Sequence, residues 1–153
     1  MKILMMMLVM MTGIFAGDQN GFIVGQWQAY RKVTNKGTLT IEKEYLNLNA
    51  NKTFSILILV SVEKGNAFVK GLQIKAFGTW KLYKDTLVYV VKSIDVPFAK
   101  EVYRISQPSL TQLANYFKSR FEGEPIRILK VQGMTNNTLT VINEEGVVTN
   151  YTR

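Results

Sequence analysis

Paired carboxylates are the side chains of this sequence whose spacing could do chemistry. Glu42 and Glu44 are two residues apart, and Glu122 and Glu124 flank Gly123. Residues two apart on a strand share a face, so the first pair could approach the ~5–9 Å separation at which two carboxyl groups cleave a glycosidic bond. Alternating glutamates are, however, typical of the solvent-facing side of a strand. We therefore assign Glu42 and Glu44 to the solvent face of their strand and expect no enzymatic activity.

The sequence contains no histidine and no cysteine. The two absences exclude a Ser-His-Asp triad, a Cys-His dyad and an ordinary zinc site. We accordingly expect no metal and no cofactor. Disulfides are excluded too, so the folded domain depends on apolar packing alone.

The N-terminal segment has the layout of a secretory signal peptide. Lys2 precedes an apolar run over residues 3–11, and Ala16 precedes the polar residues 17–20; six of the seven methionines lie in this segment. A membrane-spanning helix needs ~20 apolar residues, and this run is shorter. We predict cleavage after Ala16 and export to the periplasm or the medium, without a membrane span. A structural N-terminal helix is the alternative.

Residues 17–153 have the length of a single domain. The formal charge is +8 for the whole chain and +7 once Lys2 is removed with the leader, which favours acidic partners such as anionic lipid headgroups, nucleic acid or polyanionic glycans. The lysines are scattered without a run of five like charges, which indicates a solvated surface. Since the protein is expected to be exported, no nucleic-acid partner is predicted. The sequence gives no signal for the oligomeric state.

Strand-like segments separated by turn residues fill most of this domain. The clearest alternation runs from Leu72 to Leu82 and predicts a strand with one buried and one solvent-facing side. In the second segment the apolar residues change faces between Ile41 and Leu46, which predicts a β-bulge near Glu44. The nine predicted strands are Phe22–Val33, Thr38–Asn49, Thr53–Glu63, Phe68–Tyr83, Thr86–Ile94, Lys100–Ile105, Ile126–Met134, Thr138–Asn143 and Val147–Tyr151.

One helix is predicted over residues 109–121. Ser109 is its expected N-cap, with Gln112 completing a capping box, and apolar residues follow at helical spacing up to Phe121. The apolar side of this helix must rest either on the outer wall of a sheet, against Phe77 and Tyr83, or over the open mouth of a barrel. The outer wall is the commoner arrangement.

Consecutive short hairpins favour closure into a barrel, which removes the edges of a sheet. Gly25-Gln26-Trp27 resembles the Gly-x-Trp opening of lipocalins, and residues 45–54, 78–87 and 137–141 resemble the second hairpin, central strand pair and closing strands of bacterial lipocalin-like domains. The resemblance implies a mainly β fold, an antiparallel up-and-down barrel of eight or nine strands. It also implies that Trp27 lies at the closed end, stacked by an arginine of the last strand, for which Arg153 is the candidate.

A barrel of eight strands either fills with side chains or holds one small ligand. The residues expected to line a ligand site in its interior are Trp27, Phe54, Ile56, Ile58, Ile74, Trp80, Leu87 and Tyr89. A lining of this apolar character favours a small apolar or lipid-like ligand. Together with the signal peptide and the resemblance, it predicts an exported, non-enzymatic, lipocalin-like binding protein. The alternative is a solid-core interaction module, such as an inhibitor or an envelope-assembly factor, without a small-molecule ligand.

Overall fold

A computed structural model describes residues 19–97 and 99–153, so the predicted signal peptide, residues 1–16, lies outside the described residues. This part of the chain forms nine strands and two helices. The strands are β1 Gly25–Asn35, β2 Thr38–Leu48, β3 Thr53–Lys64, β4 Ala67–Tyr83, β5 Thr86–Asp95, β6 Glu101–Tyr103, β7 Ile126–Met134, β8 Thr138–Asn143 and β9 Val148–Thr152. The helices are α1 Gln19–Ile23, which was not expected from the sequence, and α2 Gln107–Glu122.

Eight of these strands close into an antiparallel barrel, which confirms the predicted fold class. The order around the ring is β3, β2, β1, β9, β8, β7, β5 and β4, and the β3–β4 pairing closes it. β6 lies outside the ring and pairs with β4 at Phe68–Tyr103 and the two following positions. Among the described residues, β1 and β9 form a single strand pair, between Gln28 and Thr152.

The two ends of the barrel differ. The end that we call the closed end carries α1 and the turns at residues 49–52, 84–85 and 135–137. The opposite, open end carries the turns at residues 36–37, 65–66 and 144–147. This polarity places the start of β1 at the closed end and its last residues at the open end.

The long strand β4 confirms its predicted alternation. Ile74 and Trp80 are buried with their even-numbered neighbours, while Phe77 on the other side is 48% exposed. The strand bends at a bulge between Phe77 and Gly78. A Cβ on Gly78 would lie 1.8 Å from the Val90 carbonyl oxygen, so only glycine permits this close approach of β4 and β5.

The bulge predicted near Glu44 is wrong, because β2 pairs without interruption with both of its neighbours from Thr38 to Leu48. Its even-numbered residues therefore all share the face of Leu46, which is fully buried inside the barrel. Glu42 and Glu44 lie on this inner face, so their assignment to the solvent side is also wrong. The apolar residues on the other face of β2 are half-buried on the outside.

Helix α2 begins at Gln107, and its N-cap is Ser106 rather than Ser109. The Ser106 hydroxyl accepts a hydrogen bond from the Ser109 amide at 3.3 Å. The earlier start has a simple cause, since Pro108 falls in the first turn, where its missing amide hydrogen costs nothing. The helix ends as predicted at Gly123, whose amide donates to the Ser119 carbonyl at 2.9 Å.

Helix α2 lies across the open end of the barrel and not on the outer wall. Phe117 and Phe121 are buried in the barrel core, and Arg120 reaches β2 on the far side of the ring. Phe77 and Tyr83, the outer residues expected to receive the helix, remain 48% and 67% exposed. Neither helix of the described residues is long and apolar enough to span a membrane.

Candidate functional site

The closed end is sealed around Trp27. Its indole nitrogen donates to the Ile23 carbonyl of α1 at 2.8 Å, and the Arg153 guanidinium stacks over its ring at 4.1 Å. Arg153 also donates to three carbonyl oxygens, those of Phe22 at 2.7 Å, Val24 at 2.8 Å and Asn136 at 2.6 Å. The Trp–Arg stack is the contact that the lipocalin resemblance implies.

The predicted interior residues fill this closed half of the barrel. Seven of them belong to the hydrophobic core and do not line the cavity of the open half, namely Trp27, Phe54, Ile56, Ile58, Ile74, Trp80 and Leu87. Their part in ligand binding stays a prediction, because the space around them is occupied by one another. The eighth, Tyr89, is 6% exposed and borders open space above this layer.

That open space is a cavity of about 630 Å³ at the open end. Its volume lies within the ~300–1,000 Å³ range of sites that hold small molecules. The walls combine apolar residues with carboxylates, tyrosines and arginines, and the space opens to solvent along the β1–β9 seam. The polar side chains that line it include Glu42 and Glu44 from β2, Tyr89 from β5, Arg127 from β7, Tyr151 from β9 and Arg120 from α2, with Tyr30 and Arg31 from β1 and Glu144 and Glu145 from the turn before β9.

Glu44 and Tyr151 form the deepest polar contact of this cavity. The Tyr151 hydroxyl donates to the Glu44 carboxylate at 2.6 Å. Burial raises the pKa of Glu44, although the hydrogen bond from Tyr151 opposes that rise; the nearby Glu42 charge adds to it, and the two arginines oppose it. Burial and the Glu44 charge hold the pKa of Tyr151 well above its usual range. A neutral Glu44 is therefore stabilised over a wider pH range than a solvated glutamate.

Arg127 brings a positive charge beneath the helix. One terminal nitrogen donates to the Arg120 carbonyl at 2.6 Å, and its guanidinium lies 4.5 Å from the centroid of the Phe121 ring. Its Nε is buried without a hydrogen-bond partner among the described residues. An unsatisfied buried donor costs about 1–3 kcal/mol, so an acceptor atom on a bound molecule would be stabilised here.

Arg120 connects the helix to the opposite wall. Its guanidinium donates to the Glu42 carboxylate at 3.0 Å, and the two side chains are 35% and 16% exposed. The contact joins residues 78 positions apart in the chain. It fixes the second half of α2 beside the cavity, while Phe117 and Phe121 of the same helix pack into the hydrophobic core.

The sequence contained a signal for part of this site. Leu46 and Leu48 are apolar at spacing two, and the same period carried back along β2 reaches Glu44 and Glu42. The outward residue Ile41 made the opposite phase equally plausible. Arg127 and Tyr151 carry no local signal, since their role depends on which strands the closed ring brings together.

Comparisons of the chain with protein-family models and with curated proteins found no match. The lipocalin resemblance thus rests on the short motifs quoted above, beside a barrel that fits it. Within the described residues no group of three or more acidic, histidine or cysteine side chains is arranged to hold a metal ion.

Proposed function

We propose that this chain is an exported, non-enzymatic, lipocalin-like protein that binds one small lipid-like molecule in the cavity at the open end of its barrel. The observation that carries the proposal is the cavity of about 630 Å³ above a filled core. A space of this size with mixed walls suits an amphipathic molecule, whose apolar part displaces water from the walls while polar atoms meet fixed partners.

The polar atoms available to a ligand support an amphipathic rather than a wholly apolar molecule. The unpartnered Arg127 Nε is a donor for a ligand oxygen. The Glu44–Tyr151 pair, 2.6 Å apart, offers further acceptor and donor atoms at the cavity floor. The apolar part would contact Leu129 and Val141, which line the same cavity.

A solid-core interaction module remains the second candidate, and one observation favours it. Seven of the eight predicted lining residues belong to the buried hydrophobic core and do not line the cavity of the open half. The two candidates differ in whether the cavity of the open half takes up a small molecule.

Uptake of a fluorescent fatty acid, 11-(dansylamino)undecanoic acid, tests the proposal. Ala29 is half-buried on the inner side of β1 and lines the cavity. Ala29→Trp places a large ring in that space and is expected to weaken probe binding at least tenfold. Gln26→Trp is the matched control, because Gln26 is exposed on the same strand and does not line the cavity; its affinity should equal that of the unmodified chain.

Circular dichroism and urea denaturation establish that each variant is folded before binding is compared. Absence of probe uptake by the unmodified chain would favour the interaction module. Equal weakening by both tryptophan variants would place the probe outside the cavity. N-terminal sequencing of protein secreted by its own host tests export separately, with the mature chain expected to begin at Gly17.

A further inference from the structure

At the seam with β9, one edge of β1 has no backbone pairing beyond Gln28 in the described part of the chain. β1 pairs with β2 along its whole length. On its other side, within the described ranges, only Gln28 pairs, with Thr152. Residues 29–35 therefore present a row of backbone donors and acceptors that can pair with another extended chain.

The side chains of this edge are exposed and basic. Tyr30 is 60% exposed and Val33 is 40% exposed, and Arg31 and Lys32 lie between them on opposite faces of the strand. Lys36 follows in the turn, and no acidic residue occurs from 29 to 36. Such an edge offers hydrogen bonds, two apolar contacts and three cations, of which Arg31 lies opposite Glu42 of β2.

The charge argues against a second copy of this chain as the occupant. Antiparallel pairing of two β1 edges would bring Arg31 and Lys32 of one copy against the same residues of the other, and like charges on adjacent strands are destabilising. An acidic chain has the opposite effect, and the whole protein has a formal charge of +8 that attracts it.

We propose that residues 29–35 bind an extended acidic peptide segment, which adds to the barrel as an extra strand along β1. Backbone hydrogen bonds supply affinity in this mode of recognition, and alternate side chains supply specificity. Acidic residues of the peptide lie against Arg31 and Lys32, and its apolar residues contact Tyr30 and Val33. Glu144 and Glu145 line the other side of the opening, so the peptide pairs with β1 and not with β9.

The peptide and the small molecule approach the same opening, because Tyr30 and Arg31 also line the cavity. Peptide binding depends on the backbone edge and the cations of β1, whereas small-molecule binding depends on Glu44, Tyr151 and Arg127 on the inner walls. A chain that takes up the dansyl probe but no peptide, or the reverse, separates the two.

A fluorescein-labelled octapeptide of alternating glutamate and valine is the probe, followed by fluorescence anisotropy. A peptide of the same sequence with alternate amides N-methylated is expected to bind at least tenfold more weakly, because it cannot complete the strand. A lysine–valine peptide is expected not to bind. The double variant Arg31→Glu, Lys32→Glu should lose at least tenfold in affinity, whereas Lys81→Glu, Lys84→Glu, with the same charge change at exposed positions near the closed end, should lose less than threefold.

Hydrogen exchange identifies the residues that bind. The amides of residues 29–35 on the outer edge should become protected when the glutamate–valine peptide is added. Equal binding of the N-methylated peptide would overturn strand addition, because only charge attraction would remain. Protection of these amides in a dimer without peptide, seen by sedimentation, would overturn it in favour of a second copy. Aggregation of the double variant with no peptide binding by the unmodified chain would show that the cations only protect the edge.

Discussion

Removal of the Arg153 side chain should open the closed end of the barrel. In Arg153→Ala, three carbonyl oxygens of Phe22, Val24 and Asn136 lose a charged donor, and Trp27 loses the cation 4.1 Å above its ring. The guanidinium is exposed, so each hydrogen bond contributes only about 0.5–1 kcal/mol net and the cation–π contact about 0.5–1 kcal/mol. Because these contributions overlap, we expect a loss of about 2–3 kcal/mol in the free energy of unfolding.

Urea denaturation followed by tryptophan fluorescence measures this loss, and a thermal scan should show a fall in Tm of about 6–12 °C for a domain of this size. Arg153→Lys should recover less than half of it, since one ammonium cannot match a planar guanidinium that both stacks and donates to three acceptors. Arg104→Ala is the control, because Arg104 also lies over a ring, that of Tyr103 at 5.2 Å, on an exposed part of the surface. Its cost should stay within about 0.5 kcal/mol.

Two results would refute this reasoning. A loss below about 0.5 kcal/mol in Arg153→Ala would mean that the observed contacts are offset by solvation of the free carbonyls. Full stability in Arg153→Lys would mean that a positive charge alone holds the closed end. In either case Trp27 would be kept in place by its apolar neighbours and not by the stacked arginine.

Three further predictions concern the interior. Because the pKa of Glu44 is raised in the folded state, the native chain retains a proton that the unfolded chain releases above about pH 4.5. The free energy of unfolding should therefore fall as pH rises from there through the folded-state pKa. Glu44→Gln should remove this fall, and a urea midpoint that varies with pH as in the unmodified chain would contradict the assignment. Ile74→Ala should cost about 2–5 kcal/mol by urea denaturation, whereas Lys75→Ala on the outer face should cost within about 0.5 kcal/mol, and equal costs would overturn the register of β4. Arg120→Ala, which removes the ion pair between α2 and β2, should speed release of the dansyl probe several-fold in stopped-flow fluorescence. Lys118→Ala on the same helix removes only a surface ion pair at 3.5 Å and should leave the release rate unchanged. Equal release rates in the two variants would show that the helix does not hinder the probe.

Local patterns predicted the strands well because period-two alternation and turn residues act within a few positions. Ile126–Met134 and Thr138–Asn143 form strands with the predicted bounds. The same reasoning failed for β2, where apolar residues occur on both faces, and alternation alone does not say which face is inside. Ring closure makes that choice, by pairing β2 in register with two neighbours.

The cavity was less predictable than the barrel around it. Arg120 and Glu42 are 78 residues apart, and Tyr151 and Glu44 are 107 residues apart. No sequence window contains both members of such a pair. The apolar residues that were predicted instead are those with strong local alternation, and strong alternation marks the packed core rather than the polar end of the barrel.

Chain order gives the closed end a kinetic consequence. The Arg153 side chain donates hydrogen bonds to the carbonyls of Phe22 and Val24, across 131 and 129 residues. These contacts close one of the longest loops among the described residues, at a high entropic cost. The hairpins from β1 to β5 need no such closure and can form while β9 is still being synthesised. We therefore expect the Arg153 contacts to form after the folding transition state, so that Arg153→Ala accelerates unfolding and leaves the folding rate nearly unchanged. On this reasoning the contacts of Arg153 strongly influence how long the folded barrel lasts before it unfolds.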